Sequence, residues 1–269
     1  MSFEQFYGMK VNTFDKQNIS HEDAFISNDH REVVAGLNYL KENQGIGVVT
    51  APCGSGKSYA IRCFMESLNP NLFTKAYISL STVTILELYK ELCIALNLEQ
   101  KGGKTGMFHN IRNHILQLNN TVRRPLVIVI DESQYLSRHI LKELKMLTNF
   151  KYDSKYCFTL ILCGEPLLLD TLNLDIHEGL RQRITFHYEF HGFSDDEVRE
   201  YVYHKLNLAG TSETLIGEDA LTALTSFCSG NPRLIDKAMT SALMIGSQHG
   251  QAVINADTMK AAIEDLTLA

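Results

Sequence analysis

The stretch Val48-Val49-Thr50-Ala51-Pro52-Cys53-Gly54-Ser55-Gly56-Lys57-Ser58 decides the fold: an apolar strand runs into a glycine-rich turn that ends in Gly-Lys-Ser. Glycine tolerates positive φ, so the backbone N–H groups of such a turn converge on an anion. The spacing predicts a phosphate-binding loop in which Cys53, Gly54, Ser55, Gly56, Lys57, Ser58 and Tyr59 line a nucleotide, Lys57 reaches the β- and γ-phosphates and Ser58 ligates magnesium. The segment from Tyr59 to Leu68 is expected to be a helix whose N-terminus adds its positive end to the same anion. Ala51 stands where the full pattern has glycine, and it is small enough for that strand exit.

About seventy residues on, Pro125-Leu126-Val127-Ile128-Val129-Ile130-Asp131-Glu132 gives five consecutive apolar residues, mostly β-branched, followed by two acids. Such a run predicts a strand buried on both faces. Its acidic end falls where ligands bind in open α/β sheets, beyond the carboxyl ends of the strands. Asp131 is expected to hold the magnesium, and Glu132 to orient and polarise the water that attacks the γ-phosphate.

A chain of 269 residues with 45% hydrophobic content can bury a large core and a smaller appendage. No apolar run approaches the ~20 residues that span a bilayer, and the first residues lack the basic-then-apolar pattern of a signal peptide. A cytoplasmic protein without membrane contact is therefore expected. The six cysteines show no close pair at metal-ligand spacing and read as reduced, mostly buried thiols. Net charge is −6, against indiscriminate nucleic-acid binding. Yet between Lys101 and Lys155 ten Lys/Arg stand against four acids. Either one basic face for nucleic acid or ordinary solvated helix faces produces such a bias.

Strand-like runs at Ile46–Ala51, Ala76–Leu80, Leu126–Ile130, Phe158–Cys163 and Ile184–Phe190 alternate with helical patterns at Tyr59–Leu68, Ile85–Leu96, Thr105–Leu118 and Arg138–Phe150. That alternation predicts a parallel five-stranded αβα sandwich. After His191 the patterns are all helical, beginning with the capping box Ser194-Asp195-Asp196-Glu197. The expected domains are 1–191, an α/β nucleotide-binding domain, and 192–269, a small helical lid.

With these pieces in place the chain resembles the AAA+ ATPases, and among them the ExeA-like group that includes transposition regulators of the TnsC, TniB and IstB kind. The motifs are Phe6-Tyr7-Gly8-Met9 with Phe14, the P-loop, the Asp-Glu strand end, Leu180-Arg181-Gln182-Arg183-Ile184 and Gly230-Asn231-Pro232-Arg233-Leu234. The resemblance implies magnesium-dependent ATP hydrolysis at sites shared between subunits of a homo-oligomeric ring or filament, with Arg183 or Arg181 reaching the γ-phosphate of a neighbour. It implies that Arg233 is the lid's sensor arginine and that His30 and Arg31 line the adenine pocket. Glu165 takes the polar sensor position, where relatives often carry glutamine or another neutral polar side chain. It further implies double-stranded DNA as a partner, through the Ser81–Thr84 loop with Thr82 and the Lys101–Thr105 loop with Lys101 and Lys104, and recruitment or activation of a transposase. Two alternatives stand beside this: a nucleotide-gated switch or scaffold with negligible turnover, and a secretion-linked ATPase of the ExeA type. No transmembrane or cell-wall-binding stretch follows the lid pattern, which counts against the secretion reading. An initiator or clamp loader is a further possibility, without a visible winged-helix domain.

Overall fold

The computed structural model describes residues 2–15, 23–79, 84–150 and 156–267. In chain order the elements are α1 (Phe3–Tyr7), α2 (Asn28–Asn43), β1 (Gly45–Thr50), α3 (Lys57–Ser67), β2 (Thr74–Ser79), α4 (Ile85–Ala95), α5 (Gly103–Gln117), β3 (Leu126–Asp131) and α6 (Arg138–Thr148). They continue as β4 (Phe158–Gly164), α7 (Leu167–Leu172), α8 (Glu178–Arg181), β5 (Ile184–Glu189), α9 (Asp195–Leu208), α10 (Glu218–Cys228), α11 (Pro232–Gln248) and α12 (Ala256–Thr267). The five strands form one sheet in the order β2-β3-β4-β1-β5, and every neighbouring pair is parallel.

Strand composition follows from position in that order. Every residue of the three inner strands β1, β3 and β4 is buried, so each reads as a continuous apolar run. The edge strands β2 and β5 alternate instead, because one side of each meets solvent or a helix rim. Successive side chains leave opposite faces of the sheet. Ile46, Val48, Ile128, Ile130, Leu160 and Leu162 pack with Leu88 and Leu92 of α4, Ile111 of α5 and Ile140 and Leu144 of α6. Their sequence neighbours Val49, Val127, Val129 and Ile161 pack on the other side with Leu37 of α2 and Ile61 and Phe64 of α3. Each of these fully buried side chains contributes on the order of 1.5–3 kcal/mol.

The chain divides into two compact units, residues 30–190 and residues 1–29 together with 191–269. The sequence assigns 1–191 to one domain, whereas the first 29 residues group with the helical end of the chain. Met9 and Phe14 are the physical reason: both are buried in the core that α9 to α12 build around Val202, Leu221, Ile235 and Met259. Thr13 adds a hydrogen bond from Oγ1 to the Lys205 carbonyl at 2.7 Å. Ser194 and Glu197 form the expected capping box at the start of α9. At α11, Pro232 occupies the first turn and the Asn231 side chain accepts from the Arg233 N–H. Among the described residues no helix is long and apolar enough to cross a membrane.

Candidate nucleotide-binding site

β1 ends at Thr50, and the chain turns through Gly54 at φ 90° and Gly56 at φ 91° into α3, whose first residue is Lys57. Only glycine holds those angles without strain, which is how this sequence turns backbone N–H groups toward one point. A Cβ added at Gly56 would meet no atom within 4 Å, so the space before the loop is open. The Ala51 N–H donates to the Gly164 carbonyl at 3.1 Å, fixing the loop's entry against the end of β4.

Lys57 and Asp131 are both buried, and Lys57 Nζ lies 2.5 Å from Asp131 Oδ1. Among the described residues Asp131 is the one acceptor that the ammonium meets, although it carries three donors. The other Asp131 oxygen accepts from the Tyr77 hydroxyl at 2.5 Å. The Glu132 N–H donates to Oδ1 at 2.9 Å. Burial pushes the Asp131 carboxyl up, but the bonds from Lys57 and Tyr77 outweigh it and hold the group below the usual carboxylate range. Tyr77 is raised, first by burial and then by its bond to Asp131. Glu132 sits at φ 55°, and its Oε2 accepts from Gln134 Nε2 at 2.7 Å.

His30 and Tyr59 come together beside α3, with ring centroids 5.6 Å apart. Burial, then the neighbouring Arg31, lowers the His30 pKa, which favours a neutral ring. Burial raises Tyr59, and the Arg62 guanidinium lies 5.5 Å from its ring centroid. Ser58 and Cys53 are exposed at the loop. Glu165 follows β4 directly, and its N–H donates to Gln134 Oε1 at 3.1 Å.

The remaining expected residues make other contacts. Arg181 donates to the carbonyls of Leu172 and Asn173, capping the end of α7. Arg183 donates to the Lys145 carbonyl and Thr148 Oγ1 at the end of α6. Arg233 stands in the first turn of α11, in the helical unit. Lys101 pairs with Glu99 at 2.8 Å and Lys104 with Glu143 at 2.6 Å. Thr82 and most of its loop lie outside the described residues.

The sequence reading missed Tyr77 and Gln134. A signal for Tyr77 exists in the alternation of β2, where it and Ser79 fall on the polar side, and Ser79 pairs in register with Asp131. Magnesium fits the donor set: Ser58 and Asp131 supply hydroxyl and carboxylate oxygens, the hard donors it prefers. Among the described residues no group of three His, Cys, Asp or Glu forms a metal cage of its own.

Residues 40–172 match the family model described as an AAA domain. Across 271 residues the chain is 31% identical to General secretion pathway protein A of Aeromonas hydrophila, covering 97% of this chain and 48% of that protein. The chain thus spans about half the length of that curated relative. Among solved structures it is similar to Cdc6p from Pyrobaculum aerophilum, with TM-score 0.68, 14% identity and coverage of 94% of this chain and 70% of that one. It is also similar to Drosophila ORC bound to DNA, with TM-score 0.70, 14% identity and coverage of 99% and 66%. Identity at that level shows the fold alone. The match over residues 40–172 identifies an AAA domain there, and the α/β unit has the P-loop AAA fold.

Proposed function

We propose that the chain is a magnesium-dependent ATPase that assembles on DNA in its ATP-bound state and recruits or activates a transposase made as a separate polypeptide. One observation carries the ATPase part: a buried lysine at the head of a P-loop helix, held by the carboxylate that ends β3, with Glu132 next to it. When ATP enters, the Lys57 ammonium exchanges its carboxylate partner for the β- and γ-phosphate oxygens. Loop N–H groups and the first turn of α3 bind the same anion. Ser58 and Asp131 would hold magnesium, which neutralises charge on the phosphates. Glu132 accepts the proton of the attacking water, and His30 and Tyr59 offer ring faces to the base.

The site is completed, on this reading, by an arginine from a second copy, Arg183 or Arg181. Each already caps a helix end, so a trans role for either requires it to give up carbonyl partners. The motif resemblance supports the transposition output, and the likeness to ORC bound to DNA supports DNA as the partner. Lys101 and Lys104 would reach phosphates by leaving Glu99 and Glu143; the Glu99 pair is exposed and costs little to break, and Glu143 keeps its bond from the Tyr89 hydroxyl when Lys104 leaves. A second reading, a secretion-linked ATPase, is favoured by the 31% identity that extends across 97% of the chain.

Glu132→Gln should keep ATP affinity and lose about 10²- to 10⁴-fold in turnover, measured as phosphate release. Wild-type turnover should rise per mole as protein concentration rises, the mark of shared sites. Co-sedimentation with DNA in a non-hydrolysable ATP analogue separates the two outputs. No DNA binding at low salt would favour the secretion reading.

A further inference from the structure

Gln134 is buried, 8% exposed, and both ends of its amide are used. Its Nε2 donates to Glu132 Oε2 at 2.7 Å, and its Oε1 accepts from the Glu165 N–H at 3.1 Å. A carboxylate only accepts and a peptide N–H only donates, so one orientation of the amide satisfies both. The backbone brings it there deliberately. Glu132 takes a left-handed conformation, a short 3-10 turn follows at Ser133–Tyr135, and Ser133 Oγ closes it on the Ile130 carbonyl at 2.8 Å. A Cβ at residue 164 would lie 2.7 Å from Gln134 Oε1, so Gly164 is what lets the amide rest against the end of β4.

From this bridge we infer that Gln134 is a positioning residue for hydrolysis: it pins one oxygen of Glu132 and ties that carboxylate to the peptide that follows β4. The inference rests on the ATPase reading of Glu132 given above. Among the described residues Glu132 Oε1 has no protein partner, so the pinned carboxylate presents its second oxygen to the attacking water. The β4 end and the water-polarising group then move as one, and a shift of the Glu165 backbone on contact with the γ-phosphate is transmitted to the base through a single side chain. Gln134 itself touches neither nucleotide nor water.

Gln134→Glu separates the two halves of the bridge. It keeps an acceptor for the Glu165 N–H but replaces the donor to Glu132 with a second carboxylate, which repels Glu132 instead of pinning it. We expect turnover at neutral pH to fall about 10- to 100-fold with KM for ATP nearly unchanged. Gln134→Ala, which removes the pin without adding charge, should lose less turnover than Gln134→Glu, again with KM for ATP nearly unchanged. Thermal melting with magnesium and ATP verifies that each variant folds and binds. Wild-type turnover in Gln134→Glu, or a loss confined to KM, overturns the inference. Glu132→Gln run in parallel keeps the failures distinct: if it turns over at the wild-type rate, the ATPase assignment of Glu132 falls. If it is inactive while both Gln134 variants behave as wild type, only the positioning role falls.

Discussion

Lys57 meets Asp131 at 2.5 Å in the α/β unit, and Lys205 meets Asp236 at 3.0 Å in the helical unit, both pairs largely withdrawn from solvent. The surroundings differ. Lys205 also donates to the Thr13 carbonyl at 2.8 Å and lies 4.9 Å from the centroid of the Tyr201 ring and 5.7 Å from that of Phe14. Asp236 takes a second bond from the Tyr201 hydroxyl at 2.9 Å. Lys57 has Asp131 and spare donors beside an open loop. Burial pushes Asp236 above the usual carboxylate range against the pull of Lys205 and Tyr201, and it lowers Lys205. At Asp131 the hydrogen bonds win and the pKa falls. A pair tied through its lysine to a distant stretch of chain is a clip for the fold, whereas a lysine with a single partner beside an open loop holds a place for a ligand.

Removing one partner of the clip is the largest test. Lys205→Ala strands a buried carboxylate and cuts the tie to Thr13, so we expect a loss of about 3–5 kcal/mol in denaturant unfolding. A loss below about 1 kcal/mol would put the two pairs in the same class. Next comes Lys57→Ala, in which Tyr77 and the Glu132 N–H still hold Asp131. Unfolding should shift by about 1 kcal/mol or less, while calorimetry shows ATP affinity reduced about 10- to 100-fold. Undiminished affinity would end the P-loop reading.

The smallest effect is in the acid titration, where the pairs carry opposite signs. An Asp131 carboxyl below its unfolded value contributes stability that is present above pH 3.8 and lost as pH falls through the depressed value. Asp236, raised above 3.8, contributes stability at low pH that is lost as pH rises through its own value. Asp131→Asn should therefore flatten the acid loss of stability and Asp236→Asn should steepen it, read by melting between about pH 1 and 6. Parallel changes in both variants would erase the contrast.

The same contrast marks what the sequence discloses. The inner strands are legible because burial on both faces leaves an unbroken apolar run, as in Leu126–Asp131. The P-loop is legible because its glycines, Lys57 and Ser58 are contiguous, and Ser194 with Glu197 because a capping box is local. Lys205 and Asp236 give no such sign: their meeting depends on how α9 and α11 cross, and nothing in either helix's pattern reports it. Gln134 was hidden for a subtler reason, since its reach to Glu132 depends on a left-handed residue and a turn of three. Arg181 and Arg183 look alike in sequence, yet they cap different helices.

The helical unit joins residues 1–29 to residues 191–269, and this sets an order of events during synthesis. Thr13 and its partner Lys205 are separated by 192 positions. A nascent chain extended through Phe190 has every strand of the sheet but only the leading fragment of the other core. Met9 and Phe14 then remain without their hydrophobic surroundings until the last helices emerge. The strands of the α/β unit are thus all synthesised before Met9 and Phe14 can reach their core, and closing that span adds a loop-closure cost that grows only slowly with its length.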